Sequence, residues 1–225
     1  MTDISTIIFD LDGTLLNTLD DLADGVNYAL HQFGFPAKSI EDIRRFVGNG
    51  VRNLMELSIP DGLKNPDFAA CLHAFKEYYS ENMQNKTRPY EGVLELLLVL
   101  REAGYKTAIV SNKFDKAVKE LNRQYFGDQI PVAIGESPLI HKKPAPDCVY
   151  EALKELGVPA CEAIYVGDSE VDMQTAKNAG LPSVGVTWGF RDKEILMKEG
   201  ADYMINHPLE LIDILGLPKR NRRNK

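Results

Sequence analysis

The run Ile7-Ile8-Phe9-Asp10-Leu11-Asp12-Gly13-Thr14-Leu15 limits the choice of fold more than any other stretch of the chain. A short apolar segment passes directly into two carboxylates two residues apart and then into Gly-Thr. Side chains at i and i+2 of a strand point to one face, so Asp10 and Asp12 can share one site where this strand ends. Gly13 suits a sharp turn or a close approach of backbone to a bound molecule. Two carboxylates held together repel, and a cation or a shared proton relieves the repulsion. Taken alone, the pair also reads as a polar strand end with solvated aspartates. The rest of the chain has to decide between the two.

The first apolar strand is expected over 4–9. A helical region follows. Thr18 reads as an N-cap with Asp20 and Asp21 in the first turn, where negative charge favours the helix dipole. Leu22, Val26, Ala29, Leu30 and Phe33 recur at helical spacing up to Gly34. Ser39 caps a second helix, with Asp42 at the capping-box position. Gly48-Asn49-Gly50 breaks it, and a third helix is expected over 51–57. Asn65-Pro66 reads as the opening of a long fourth helix. No strand is expected between 16 and 85, and a return linker is expected over 85–89.

Beyond Pro89 the pattern changes to strands at 106–110, 131–134, 163–166, 183–186 and 202–205, alternating with helices. Such alternation implies a parallel sheet covered by helices on both faces. The expected fold is α/β: a Rossmann-like, doubly wound parallel sheet core of residues 1–15 and 86–217. A small helical cap of residues 16–85 is inserted after the first strand, and a basic tail, 218–225, is expected to be disordered.

Composition narrows the function classes. A length of 225 residues suits one large domain, or a core with a small second domain. The net charge of -7 argues against a general nucleic-acid binder. The longest apolar run, near Val93 to Leu100, is far short of the roughly 20 residues that span a bilayer. No basic-then-apolar leader opens the chain. Cys71, Cys148 and Cys161 have no Cys-x-x-Cys spacing, which is the usage of a cytoplasmic protein with reduced thiols. The histidines, His31, His73, His141 and His207, show no metal-ligand spacing.

Ligands of open parallel sheets bind at the carboxyl ends of the strands. Three expected strands end there in polar residues: Phe9 into Asp10 and Asp12, Val110 into Ser111-Asn112, and Val166 into Gly167-Asp168. Lys142 and Lys143 lie in a loop before the next helix. Hard oxygen donors of this kind suit Mg²⁺, which binds one or two carboxylates together with a substrate phosphate. Ser111 and a lysine would hold phosphate oxygens. Physical reasoning alone does not choose between Lys142 and Lys143.

These motifs resemble those of the haloacid dehalogenase-like (HAD) superfamily, over the whole chain except the tail. Asp10-Leu11-Asp12-Gly13-Thr14 is similar to the Asp-x-Asp-Gly-Thr that opens its phosphatases. Ser111 falls at the second motif, Lys143-Pro144-Ala145-Pro146 at the third, and Gly167-Asp168-Ser169-Glu170-Val171-Asp172 at the fourth. The resemblance implies that Asp10 is a nucleophile forming an aspartyl-phosphate and that Asp12 is the general acid and base. It implies that Asp10, the backbone carbonyl of Asp12 and Asp168 hold Mg²⁺, with Asp172 behind them or reached through water. Ser111 and Lys143, the lysine next to Pro144, would orient the phosphoryl group, with Gly13 and Asn112 beside it.

The helical insert corresponds in this resemblance to a cap that excludes water and reads the leaving group. Arg44-Arg45-Phe46-Val47-Gly48-Asn49-Gly50 and Gly185-Val186-Thr187-Trp188-Gly189-Phe190 resemble stretches of the phosphoglycolate phosphatase branch. Arg44 and Asn49 are thereby candidates to meet a substrate carboxylate. One departure is Asn17, where many relatives carry Asp. The implied activity is phosphate release from a small phosphate ester, 2-phosphoglycolate first, by a monomer or homodimer. A sugar phosphate, nucleotide or pyrophosphate needs the same core. A phosphomutase would place a histidine near Leu22, and a dehalogenase would lack Asp12. A non-catalytic binding protein would have lost a nucleophile or a metal ligand.

Overall fold

The computed structural model of the chain describes residues 4–218. The expected basic tail therefore lies outside the described residues, Pro218 excepted. In chain order the strands and α-helices are β1 (Thr6–Phe9), β2 (Leu16–Asn17), α1 (Leu19–Gln32), α2 (Ile40–Phe46), α3 (Val51–Ser58), α4 (Phe68–Asn82), β3 (Arg88–Pro89), α5 (Val93–Glu102), β4 (Lys106–Phe114), α6 (Asp115–Tyr125), β5 (Val132–Glu136), α7 (Asp147–Leu156), β6 (Ala163–Gly167), α8 (Glu170–Ala179), β7 (Ser183–Val186), α9 (Lys193–Lys198), β8 (Tyr203–Ile205) and α10 (Glu210–Ile214).

All four residues of β1 are buried, because both faces of the strand are covered. Ile7 and Phe9 enter a large hydrophobic cluster with α5, α6 and the inserted helices, while Ile8 enters a second one with α7 and α8. That is the two-residue period of a strand expressed in packing. The six-stranded sheet has the order β5-β4-β1-β6-β7-β8, and every neighbouring pair is parallel. The chain builds outward through β4 and β5, then returns to the other flank of β1 for β6, β7 and β8. The carboxyl end of β1 is therefore the topological switch point, where a crevice opens in sheets of this kind.

The helices α1 to α4 lie between β1 and β3. Contrary to the expectation of no strand after residue 16, Leu16 and Asn17 pair antiparallel with Pro89 and Arg88. Two residues carry no detectable period; the pairing exists only because the outgoing and returning chains meet. Asp21 of α1 secures the return, accepting from the backbone N–H groups of Lys86 at 3.0 Å and Thr87 at 2.8 Å. Ser39 and Asp42 form the expected capping box. The Asn65-Pro66 opening is corrected: α4 starts at Phe68, and Asn65 Oδ1 accepts instead from Asp67 N at 2.9 Å in a local turn. Thr18 precedes α1, yet its hydroxyl caps no helix N–H.

Helices α1 and α4 pack closely. A Cβ on Gly25 would lie 3.0 Å from the Phe75 ring, so glycine permits the approach. Phe75 is fully buried and stacks on Tyr79 with 5.3 Å between ring centres. Phe75→Ala is expected to cost about 3–5 kcal/mol in urea unfolding, the usual penalty for a large apolar truncation in a core. A cost below about 1 kcal/mol would contradict this packing.

Candidate active site

β1 and β6 end side by side, and β4 runs past them. Phe9 is in register with Ile109 on one flank and Val166 on the other, and Asp10 N donates to Val166 O at 2.9 Å. Each strand therefore delivers its polar residue to one edge. Asp10, Asp168 and Asp172, all buried, bring carboxylate oxygens within 4.8 Å of one another. The backbone closes on them: a Cβ at Gly13, where φ is +87°, or at Gly189 would collide with Asp168.

Lys143 reaches this cluster from the loop before α7. Its Nζ donates to Asp10 Oδ1 and Asp172 Oδ1, both at 2.7 Å, and to the Tyr165 hydroxyl at 3.0 Å. The Tyr165 hydroxyl donates in turn to Asp172 Oδ1 at 3.0 Å. The other oxygen of Asp172 accepts from Ser169 N and Ser169 Oγ. Asp168 is held by the Thr14 hydroxyl at 3.0 Å and by Phe190 N at 2.7 Å. Lys142, the other candidate, is exposed, and its ammonium lies on Asn49 O at 3.0 Å. Asn112 separates the two lysines, since its amide accepts from Lys143 N at 2.8 Å and donates to Lys143 O at 3.1 Å.

The electrostatics follow from burial. Burial pushes Asp10 well above the ordinary carboxylate range; Lys143 opposes the shift, and Asp172 and Asp168 add to it. Burial, then repulsion from Asp172, raises Asp168 to about 7. Burial disfavours the charge on Lys143, but Asp10 and Asp172 outweigh it and hold the ammonium well above its usual range. Three buried carboxylates thus face one ammonium. An all-oxygen donor set with excess negative charge fits a hard divalent cation, with Asp10 and Asp168 positioned to hold it and Asp172 occupied in fixing Lys143.

Asp12 faces away from that cluster toward a second cation. Both of its oxygens accept from Lys113 Nζ at 3.0 Å, and Oδ1 also accepts from the Thr18 hydroxyl at 2.7 Å. Lys113 was reachable from sequence: it stands two residues after Ser111, on the same face of an extended segment. The strand was expected to end at Val110, whereas β4 runs on to Phe114 and carries Ser111 and Lys113 with it.

A small cavity of about 40 Å³ lies over these groups. Asp10, Asp12, Ser111, Asn112, Lys113 and Asp168 line it below, and Leu22, Val47, Gly48, Gly50, Val51 and Leu54 of the inserted helices line it above. Arg44 and Asn49 are outside this lining. Arg44 Nε donates to Phe190 O at 3.0 Å, and Asn49 offers its backbone carbonyl to Lys142. The insert is fastened further by Arg191, which donates to Arg44 O at 2.9 Å and Val47 O at 2.7 Å while pairing with Glu170 at 2.8 Å. Asn112 Nδ2 donates to Gly48 O at 3.0 Å. Sequence reasoning missed Lys113, Thr14, Thr18, Tyr165 and Arg191. Thr14 stands in the Asp-x-Asp-Gly-Thr run, but its bond to Asp168 spans 154 residues, and Thr18, Tyr165 and Arg191 belong to no spaced motif.

Comparison with known proteins agrees with this geometry. The family profile described as haloacid dehalogenase-like hydrolase matches residues 7–186. A phosphoglycolate phosphatase of Vibrio parahaemolyticus serotype O3:K6 is 33% identical over 226 residues, covering 96% of this chain and 97% of that protein. One of Mesorhizobium japonicum is 34% identical over 193 residues, covering 84% of this chain and 85% of that protein. A crystal structure from Lactobacillus delbrueckii subsp. bulgaricus superposes with a TM-score of 0.90 at 36% identity, over 97% of this chain and 100% of that chain. The chain belongs to the haloacid dehalogenase-like hydrolases. No helix among the described residues is long and apolar enough to cross a membrane.

Proposed function

We propose that this chain is a Mg²⁺-dependent phosphatase of small phosphate monoesters, with 2-phosphoglycolate the first substrate to test. The observation that carries the reading is the buried Asp10 carboxylate, 2.7 Å from the Lys143 ammonium and within 4.8 Å of Asp168, under a cavity that also contains Asp12. In this reading residues 16–85 act as a cap over a core of residues 1–15 and 86–217. The cavity under the cap is tight, which supports a leaving group of few atoms.

Asp10 attacks phosphorus, the bond from phosphorus to the ester oxygen breaks, and Asp12 gives the departing oxygen its proton. Asp12, now a carboxylate, takes a proton from the water that attacks the aspartyl-phosphate, and free phosphate and Asp10 are regenerated. Lys143 and Ser111 orient the phosphoryl oxygens, and Lys143 tempers the charge on Asp10. Bound Mg²⁺ supplies charge neutralisation at the phosphoryl oxygens. Asp10, Asp168 and the backbone carbonyl of Asp12 would hold it, with Asp172 fixing Lys143 behind them. The Vibrio and Mesorhizobium relatives support 2-phosphoglycolate as the candidate.

The test is phosphate release with Mg²⁺ from a panel of small esters, compared by kcat/KM. A preference for 2-phosphoglycolate supports the full reading, and broad turnover keeps the phosphatase with another substrate. Absence of release from every ester by folded, metal-loaded protein refutes it. Arg191→Ala removes donors from two cap carbonyls and is expected to raise KM about tenfold, as a loosened lid loses about 1.4 kcal/mol of substrate binding. An unchanged KM would exclude Arg191 from holding the lid.

A further inference from the structure

We infer that Lys113 is the positioning residue of Asp12, anchoring its carboxylate and linking it to the helical insertion through Tyr79. The inference rests on the reading of Asp12 as the group that moves the proton. Lys113 is 4% exposed and meets Asp12 on one side and an aromatic face on the other. Its Nζ is 3.0 Å from each Asp12 oxygen and 4.7 Å from the centre of the Tyr79 ring. Tyr79 belongs to α4 and is fully buried, so this ring is a fixed wall rather than a mobile side chain.

An ammonium equidistant from both oxygens is a point charge that holds the carboxylate in place, and a donor to one oxygen alone fixes its rotation. The Thr18 hydroxyl adds a second donor to Oδ1 alone, which leaves Oδ2 with the single Lys113 contact. Oδ2 is therefore the oxygen on which the proton travels. In the first half of the reaction Oδ2–H gives its proton to the ester oxygen as the bond to phosphorus breaks. Lys113 stabilises the carboxylate so formed and keeps it aimed at the site where water must attack in the second half. Without Lys113 the carboxylate is free to turn away from the reacting oxygen or toward the cation site beside it. Charge pairing beside a preorganised group acts mostly on the transition state, so the loss falls on kcat rather than KM.

The experiment is a double-mutant cycle in the full chain with Mg²⁺, comparing wild type, Asp12→Asn, Lys113→Met and the double variant on 2-phosphoglycolate. Lys113→Met is expected to lower kcat about 30-fold, and Asp12→Asn at least about 100-fold, each with KM within about threefold. The double variant is expected to be no slower than Asp12→Asn, because Lys113 acts only through Asp12. With p-nitrophenyl phosphate, whose leaving group needs no proton, Lys113→Met is expected to release a burst of about one nitrophenolate per chain before slow turnover.

Single effects that multiply in the double variant overturn the inference, as does Lys113→Met turnover within twofold of wild type. Unchanged turnover in Asp12→Asn overturns the reading of Asp12 and the role of Lys113 with it, a separate result. If Lys113→Met does not melt cooperatively, Lys113→Arg takes its place. It is expected to lose activity in the wild-type background and none in the Asp12→Asn background; equal losses in both refute the inference.

Discussion

Asp10→Asn is expected to abolish turnover, lowering kcat at least about 10³-fold, since the attacking oxygen is lost and no neighbouring group replaces it. The same substitution should leave the fold intact. Burial raises Asp10 well above the ordinary carboxylate range, so its ionised form opposes folding at neutral pH. Asparagine keeps the shape and removes that charge. Lys143 retains Asp172 at 2.7 Å and the Tyr165 hydroxyl at 3.0 Å, so the ammonium is not stranded. A melting temperature at or slightly above wild type, with phosphate release gone, is the expected pair of results. Retained release would refute the covalent step, and a collapse in melting temperature would refute the account of the cluster.

The second large effect joins metal and pH. Asp168 sits at about 7 in the folded protein against an ordinary 3.8. Between about pH 4 and 7 the folded chain therefore holds a proton that the unfolded chain has released, and this group's contribution to stability falls as pH rises through that window. Metal-free protein should lose stability from this source on going from pH 5 to 8. In the proposed reading Mg²⁺ takes the place of the proton. At pH 8, Mg²⁺ at a hundred times its Kd stabilises by about 2.7 kcal/mol. For a chain of this size that is about 5–10 °C in Tm. At pH 5 the same Mg²⁺ must displace a proton, and an affinity about a hundredfold weaker leaves under about 0.5 kcal/mol. Thermal melts with and without Mg²⁺ at the two pH values measure the difference. Equal stabilisation at both would remove the carboxylate cluster as the place where the metal binds.

Much of this architecture was legible in the sequence because it is written in local signals. Residues 6–9, 163–167 and 183–186 are apolar strands bounded by polar or glycine residues, and Asp10 and Asp168 follow strands as the parallel-sheet rule requires, with Ser111 brought beside them inside the longer β4. Other features depend on partners far along the chain. The pairing of Leu16 with Pro89 has no period to detect. Thr18 looks like a helix cap, but the half-buried Asp12 carboxylate within reach outcompetes the helix N–H for its hydroxyl. Arg44 reads as a cation awaiting an anion, and carbonyls at Gly189 and Phe190 engage it together with the carboxylates of Glu41 and Asp192. Lysine choice at 142 and 143 was undecidable locally because it is set by Asn112, which grips the Lys143 backbone from β4.

The fastening of the insert has an evolutionary corollary. Arg191, Asn112 and Lys142 hold residues 44–49 through the main-chain carbonyls of Arg44, Val47, Gly48 and Asn49. Carbonyls are present whatever the side chain, so the clasp is blind to the identity of the residues it holds. The side chain of Asn49 can therefore change without touching these hydrogen bonds, whereas Val47 is also held by its packing in the core. In the proposed reading, a chain built in this way can drift from one small ester to another while its lid and its chemistry stay as they are.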